Sequence, residues 1–157
     1  MFMTEAESGL IFSYLIPTAL VLEYGAGGST KLIASKCKSI TSIEHQPSWY
    51  EAVLETLPEN ASLLLRVPDL PYKEGKEDGS YEQFKSYIEA PLGSTFDIVI
   101  IDGRARVACA SICHFLCKSD GLVFIHDFER TEYQAALEYL DLISRVGKMA
   151  LLKVKNA

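Results

Sequence analysis

The chain has 157 residues, with 15 Lys+Arg against 21 Asp+Glu and a formal net charge of −6. At 48% hydrophobic and 23% charged, it is too apolar for a disordered or collagen-like polymer, and its length suits one domain with a buried core. The acidic balance argues against a nucleic-acid backbone or an anionic membrane as the main partner, because neither gains from meeting net negative charge.

Residues 9–22 are mostly apolar, but Glu5 and Glu7 stand where a signal peptide needs a basic region and Pro17 divides the run. The stretch is also shorter than the roughly 20 apolar residues that span a bilayer. The expectation is a short N-terminal helix in a soluble, cytoplasmic protein. Residues 19–24 (ALVLEY) then predict a buried strand ending at Gly25, and residues 29–36 a helix. Residues 39–44 (SITSIE) predict a second strand, and 47–57 a helix opened by Pro47 with Trp49, Val53, Leu54 and Leu57 on its apolar side. Residues 61–67 read as a third strand. Residues 68–95 interrupt this rhythm as an insert rich in Pro, Gly, Lys and Glu, with a helix at 80–89 opened by a Ser80-x-x-Gln83 box. Residues 96–102 (FDIVIID) are the clearest buried strand, and 105–118 predict a helix stopped by Ser119-Asp120-Gly121. Residues 122–126 predict a fifth strand, 131–140 a helix with a Thr131…Gln134 box, and 143–146 with 149–155 a hairpin turning at Gly147-Lys148.

Apolar runs that do not alternate with polar residues indicate strands covered on both faces, hence a parallel sheet. The expected fold is α/β: a doubly wound, mostly parallel seven-stranded sheet in a three-layer sandwich, closed by an antiparallel hairpin, with residues 1–157 as one domain. Of the four cysteines, Cys109, Cys113 and Cys117 fall on one helical face. That spacing lacks the fourth ligand and the loop geometry of a zinc site, so they read as core.

Chemistry concentrates after the strands. Glu23-Tyr24-Gly25-Ala26-Gly27-Gly28-Ser29-Thr30 follows the first strand, where glycines admit a ligand to the backbone and the next helix offers free N–H groups. A dinucleotide fingerprint would want its third glycine where Thr30 stands. Glu44 ends the second strand, where an acid can accept ribose hydroxyls. Glu23, ahead of the glycines, suits a cationic amino group and would repel a pyrophosphate; alternatively it is a counter-charge to the following helix. His45 either flanks a bound nucleoside or sits in a solvated loop.

Glu23-x-Gly25-x-Gly27, followed by an acid closing the next strand, resembles the class I S-adenosylmethionine-dependent methyltransferases over nearly the whole chain. The resemblance implies that Gly25, Ala26 and Gly27, with Ser29 and Thr30, hold the methionine part of S-adenosylmethionine. It also implies that Glu23 orients that loop and the amino end, that Glu44 binds the ribose, and that Asp69 matches the adenine-contacting acid. Asp102-Gly103-Arg104-Ala105-Arg106 and His126-Asp127-Phe128-Glu129-Arg130 lie after the fourth and fifth strands. They resemble the Asp-Gly and His-Asp elements of small-molecule and sugar O-methyltransferases.

In metal-dependent relatives, acids at these two places help to bind Mg²⁺. Asp102 and Asp127 would be the ligands here, although Phe128 stands where that type carries Asn. A hydroxyl acceptor must lose a proton, and His126 is the first candidate base, with Asp102 and Asp127 as alternatives. Arg104, Arg106 and Arg130 either clamp an anionic or sugar-like acceptor or pair locally with Asp102, Asp127 and Glu129. Tyr72, Tyr81, Tyr87 and Tyr133 either line an acceptor pocket or pack, and Lys73 to Asp78 reads as a solvated charge run. The expected activity is methyl transfer to an oxygen of a small or sugar-like molecule. The rivals are a non-catalytic S-adenosylmethionine-binding partner domain and a NAD-binding oxidoreductase. With no separate substrate domain, the acceptor site comes from the 68–95 insert, the N-terminal helix or another subunit, which admits a homo-oligomer.

Overall fold

A computed structural model describes residues 3–156. Seven strands form one sheet: β1 (Leu20–Tyr24), β2 (Ser39–Glu44), β3 (Ala61–Leu65), β4 (Phe96–Ile101), β5 (Cys117–Ile125), β6 (Leu140–Val146) and β7 (Met149–Val154). Their order is β3-β2-β1-β4-β5-β7-β6. The first five pair in parallel, and β7 joins β5 and β6 antiparallel. The expected mixed sheet and closing hairpin are therefore present. Alternate residues of the central strands feed two cores. Leu22, Tyr24, Val99, Ile101 and Val123 lie in one, and Val21, Ile98, Ile100 and Phe124 in the other. A strand buried on both faces needs an unbroken apolar run, and β4 supplies one from Ile98 to Ile101.

Strand order reverses between β1 and β4, and in such sheets ligands bind in the crevice beyond the strands' carboxyl ends at that point. Helices α1 (Glu5–Phe12), α2 (Gly28–Ala34), α3 (Pro47–Leu54), α4 (Lys85–Glu89), α5 (Arg106–Ser111) and α6 (Cys113–Leu116) cover the sheet. α3 buries none of its residues, and Leu54 on its expected apolar side is exposed.

Three expected helices come out differently. The 105–118 segment breaks at Ile112 (φ −107°, ψ 5°) into α5 and α6, and Cys117 already belongs to β5, opposite Phe96. Ser119-Asp120-Gly121 thus lies inside a strand. Thr131–Glu138 is a 3₁₀ helix, and Gln134 bonds the Phe128 carbonyl (2.6 Å) instead of closing a box with Thr131. The Ser80–Gln83 box does form, with reciprocal bonds of 2.9 and 3.2 Å, but regular helix begins only at Lys85. Cys109 and Cys113 are buried core residues and all four cysteines are free.

Candidate functional site

A cleft of about 760 Å³ opens along the carboxyl ends of β1, β2, β4 and β5. Its floor is a close contact between two glycines. Gly25 has φ +91°, and a Cβ there would come within 2.7 Å of Gly103 Cα; one on Gly103 would meet the Tyr87 hydroxyl at 2.1 Å. Only glycine allows both turns to touch.

On the β1–β2 wall, Glu23 is buried beneath the glycine turn. Its Oε1 accepts hydrogen bonds from Thr30 Oγ1 (2.6 Å) and Ser42 Oγ (2.8 Å), and Thr30 Oγ1 in turn accepts from the Gly27 N–H (3.0 Å). Burial pushes the Glu23 carboxyl up to about 7, against the lowering effect of those two hydroxyls. Glu23 thus shapes the turn from behind. Glu44 lines the cleft although almost wholly buried, and its Oε2 accepts from the backbone N–H groups of His45 (3.1 Å) and Gln46 (3.3 Å). Burial raises it to about 6. His45 packs edge-on to Tyr72, Phe84 and Tyr87, and burial lowers its pKa, with Arg104 adding to the effect. Trp49 also faces the cleft and donates from Nε1 to the Ala26 carbonyl. Sequence reasoning placed Trp49 on a core-facing stripe, where its role beside the glycine turn was not legible.

The β4–β5 wall is a continuous polar chain. His126 Nε2 lies 2.9 Å from Glu7 Oε2, and Nδ1 lies 3.1 Å from Asp102 Oδ1. Burial opposes the imidazolium, but Asp102, Glu7 and Asp127 together hold its pKa above the ordinary value. Arg106 NH1 donates to the His126 carbonyl (2.6 Å) and to Asp127 Oδ2 (3.1 Å), and lies 3.7 Å from Asp102 Oδ1. Asp127 takes a left-handed backbone (φ 58°), and its buried Oδ1 has no hydrogen-bond partner. Strained non-glycine backbone of this kind persists where its surroundings hold it in place.

Glu7 is the residue that sequence reasoning missed. It closes a capping box with Thr4 at the start of α1, and its Oε1 accepts from the Lys148 N–H (2.9 Å) at the β6–β7 turn. Burial would raise its carboxyl, but the N–H groups of Thr4 and Lys148 and the His126 ring hold it down at about 2. The Thr4-x-x-Glu7 spacing was the available signal.

Several expected roles change. His126, expected as a base, does not present a free lone pair to the cleft, because its ring is buried and both nitrogens are taken by carboxylates. Asp69 lies away from the cleft, where its carboxylate accepts from Ser86 N (2.7 Å) and Ser86 Oγ. It supplies the cap that Phe84 cannot give to α4. Asp78, read as part of a solvated run, does the same for α5, accepting from the Arg106 N–H (2.6 Å) and the Tyr133 hydroxyl (3.0 Å). None of the four tyrosines lines the cleft. Of the three arginines, Arg106 is locked among Asp102 and Asp127, Arg130 lies 3.8 Å from Asp127, and Arg104 lines the cleft beside Tyr72 and Glu44. Ser29 lines the cleft at the start of α2.

Asp102, His126 and Asp127 bring one donor atom each within 4.8 Å of the others. The group does not fit Mg²⁺, which wants oxygen ligands at about 2.0–2.1 Å with several retained waters. Here the Arg106 guanidinium already contacts Asp127, and Asp102 is bonded to His126. No helix among the described residues is long and apolar enough to cross a membrane.

No family model matches the sequence, and no curated protein matches it. Solved structures do share its fold. A methyltransferase-like protein from Silicibacter pomeroyi superposes with a TM-score of 0.76 at 24% identity, covering 99% of this chain and 88% of that one. The N-methyltransferase NodS from Bradyrhizobium japonicum gives 0.64 at 14% identity, covering 97% and 96%. A T. thermophilus 16S rRNA methyltransferase, solved with AdoMet and guanosine, gives 0.67 at 14% identity, covering 99% of this chain and 44% of that one. The chain therefore has the Rossmann-like methyltransferase fold. The rRNA enzyme also corrects the exclusion of nucleic acid: this fold serves an RNA substrate there. Net charge is a sum over the whole surface, whereas recognition is local to the rim of the cleft.

Proposed function

We propose that this protein is an S-adenosylmethionine-dependent methyltransferase acting on a hydroxyl oxygen of a sugar-like acceptor. The observation that carries the reading is the β1–β2 wall. A glycine turn that only glycine can form sits beside a buried acid, Glu44, at the end of the next strand, and both face one cleft at the topological switch point. Gly25, Ala26, Gly27 and Ser29 would hold the methionine part, Glu44 the ribose hydroxyls, and His45 and Trp49 would flank the base. Two acids whose burial resists ionisation favour a cationic ligand, since a nearby positive charge relieves that cost. When bound, the cofactor supplies a methyl group already activated by its sulfonium.

The protein's part is alignment and removal of one proton. Asp127 Oδ1, buried against the cleft without a hydrogen-bond partner and 3.8 Å from His126 Nδ1, accepts the acceptor hydroxyl and takes its proton as the oxygen is methylated. Arg106 and His126 hold Asp127 and Asp102 in place, and Arg104 offers its guanidinium at the cleft wall.

Calorimetric titration with S-adenosylmethionine, S-adenosylhomocysteine and NAD tests the cofactor. The first two should bind, and Glu44→Ala should weaken them by about tenfold or more. NAD binding alone would overturn the reading. Label transfer from S-adenosylmethionine is then followed into separate pools of glycosides and of RNA, which distinguishes a free sugar from a ribose. Asp127→Asn should abolish transfer while cofactor affinity stays; full transfer would move the base elsewhere.

A further inference from the structure

The β4–β5 wall gathers Asp102, Asp127 and a histidine in the manner of a divalent-cation site, yet its centre is occupied by the protein itself. Arg106 opens α5. Its backbone N–H is held by Asp78 (2.6 Å), its Nε donates to the Gly103 carbonyl (3.0 Å), and its guanidinium carbon lies 5.0 Å from the centre of the Tyr133 ring. From that anchored position NH1 reaches the His126 carbonyl, Asp127 Oδ2 and Asp102 Oδ1 at 2.6, 3.1 and 3.7 Å. We propose that Arg106 is a built-in substitute for the metal: its guanidinium occupies the cation place between Asp102 and Asp127, so the site works without a divalent ion and excludes one.

Three features carry this. The side chain is buried, so water screens its charge little, and a dication beside it would meet strong repulsion. It is fixed through its backbone, its Nε, its NH1 and its ring contact, so it cannot swing aside to admit an ion. A guanidinium stays charged at every physiological pH, so the place is never vacated by deprotonation. The three acids Glu7, Asp102 and Asp127 surround the Arg106 guanidinium and the His126 ring, with Arg130 3.8 Å from Asp127. Removing Arg106 takes from the buried Asp127 carboxylate its hydrogen-bonded cation and leaves only the longer contacts to His126 and Arg130 at 3.8 Å, which converts the same residues into a site that should take a metal. The inference concerns the cluster alone and is read without turnover, so its failure is distinct from failure of the methyltransferase reading.

The test is Mn²⁺ binding to the full-length protein, followed by electron paramagnetic resonance and by thermal melting. Wild type should leave the free-ion spectrum unchanged. Arg106→Met, which keeps the length and removes the charge, should bind Mn²⁺ on the order of tenfold to a hundredfold more tightly than wild type. It should also melt higher with Mn²⁺ than without, and adding Asp127→Asn should cancel both effects. Arg106→Lys keeps a cation and should still exclude the ion. If Arg106→Met folds only when Mn²⁺ is present, that rescue supports the proposal. If it folds in neither condition, wild type and Arg106→Lys decide: binding by either that Asp127→Asn removes would overturn the proposal, and absence of binding by both supports it. An Arg106→Met protein that folds and gains no Mn²⁺ affinity also overturns it. Where transfer is measurable, EDTA should leave the wild-type rate unchanged.

Discussion

On the β1–β2 wall, Glu23 and Glu44 are buried with hydroxyls and backbone N–H groups for support, and burial raises them to about 7 and about 6. On the β4–β5 wall, the buried Glu7 and Asp127 and the half-buried Asp102 surround Arg106 and His126, and Glu7 is held down at about 2. One wall stores an unmet demand for positive charge and the other has already met it. The difference teaches where a ligand's charge matters. A cation gains by approaching the first wall, whereas the second is a rigid, self-neutralised frame that leaves one carboxylate oxygen, Asp127 Oδ1, without a hydrogen-bond partner.

The largest expected effect comes from breaking the neutralised wall. Glu7→Ala removes the partner of His126, the α1 capping box and the acceptor for Lys148 N–H, and should cost about 3 kcal/mol or more at pH 7 by chemical denaturation. Because Glu7 is held from 4.5 down to about 2, its contribution is present above pH 4.5 and lost as pH falls toward 2. The gap between variant and wild type should close over that range; a gap that persists at pH 2 would mean packing, not charge, was lost.

Next comes the floor that joins the walls. Gly25→Ala places a Cβ 2.7 Å from Gly103 Cα at φ +91°, and should destabilise by about 2 kcal/mol while weakening cofactor binding. Unchanged binding would separate the turn from the site.

The smallest effect sharpens the contrast by its sign. Glu23 is raised from 4.5 to about 7, so the wild type loses stability as pH rises through that interval and the buried group must ionise. Glu23→Gln cannot ionise. Relative to wild type it should gain about 1–3 kcal/mol between pH 4.5 and pH 8 and level off above. A constant difference across that range would show that Glu23 is not the group titrating. The two glutamates thus predict opposite pH slopes on opposite walls.

Much of the sheet was legible because its signals are local. The apolar run at 98–101 of β4, the β-branched β2 and the Gly147-Lys148 turn are each read within a few residues, and so are Gly25, Gly27 and Glu44 at strand ends. What failed depended on partners distant in sequence. Cys117 continues a helical stripe but is drawn into β5 by pairing with Phe96. Asp69 and Asp78 look like loop acids, and their roles appear only because the helices they cap begin after Phe84 and Ala105, which have no capping side chain. His126 reads as a free base until Glu7, 119 residues away, is seen on its second nitrogen. Arg106 looked interchangeable with Arg104 and Arg130, and only burial separates it from them.

The bond between the Glu7 carboxylate and the Lys148 N–H spans 141 residues of chain. Closing so long a loop costs more entropy than any strand pairing before it, and long-range contacts of this kind form late in folding. Every strand but β7 lies between the two partners in the chain. A single buried carboxylate thus reports whether the molecule has closed from its first helix to its last hairpin.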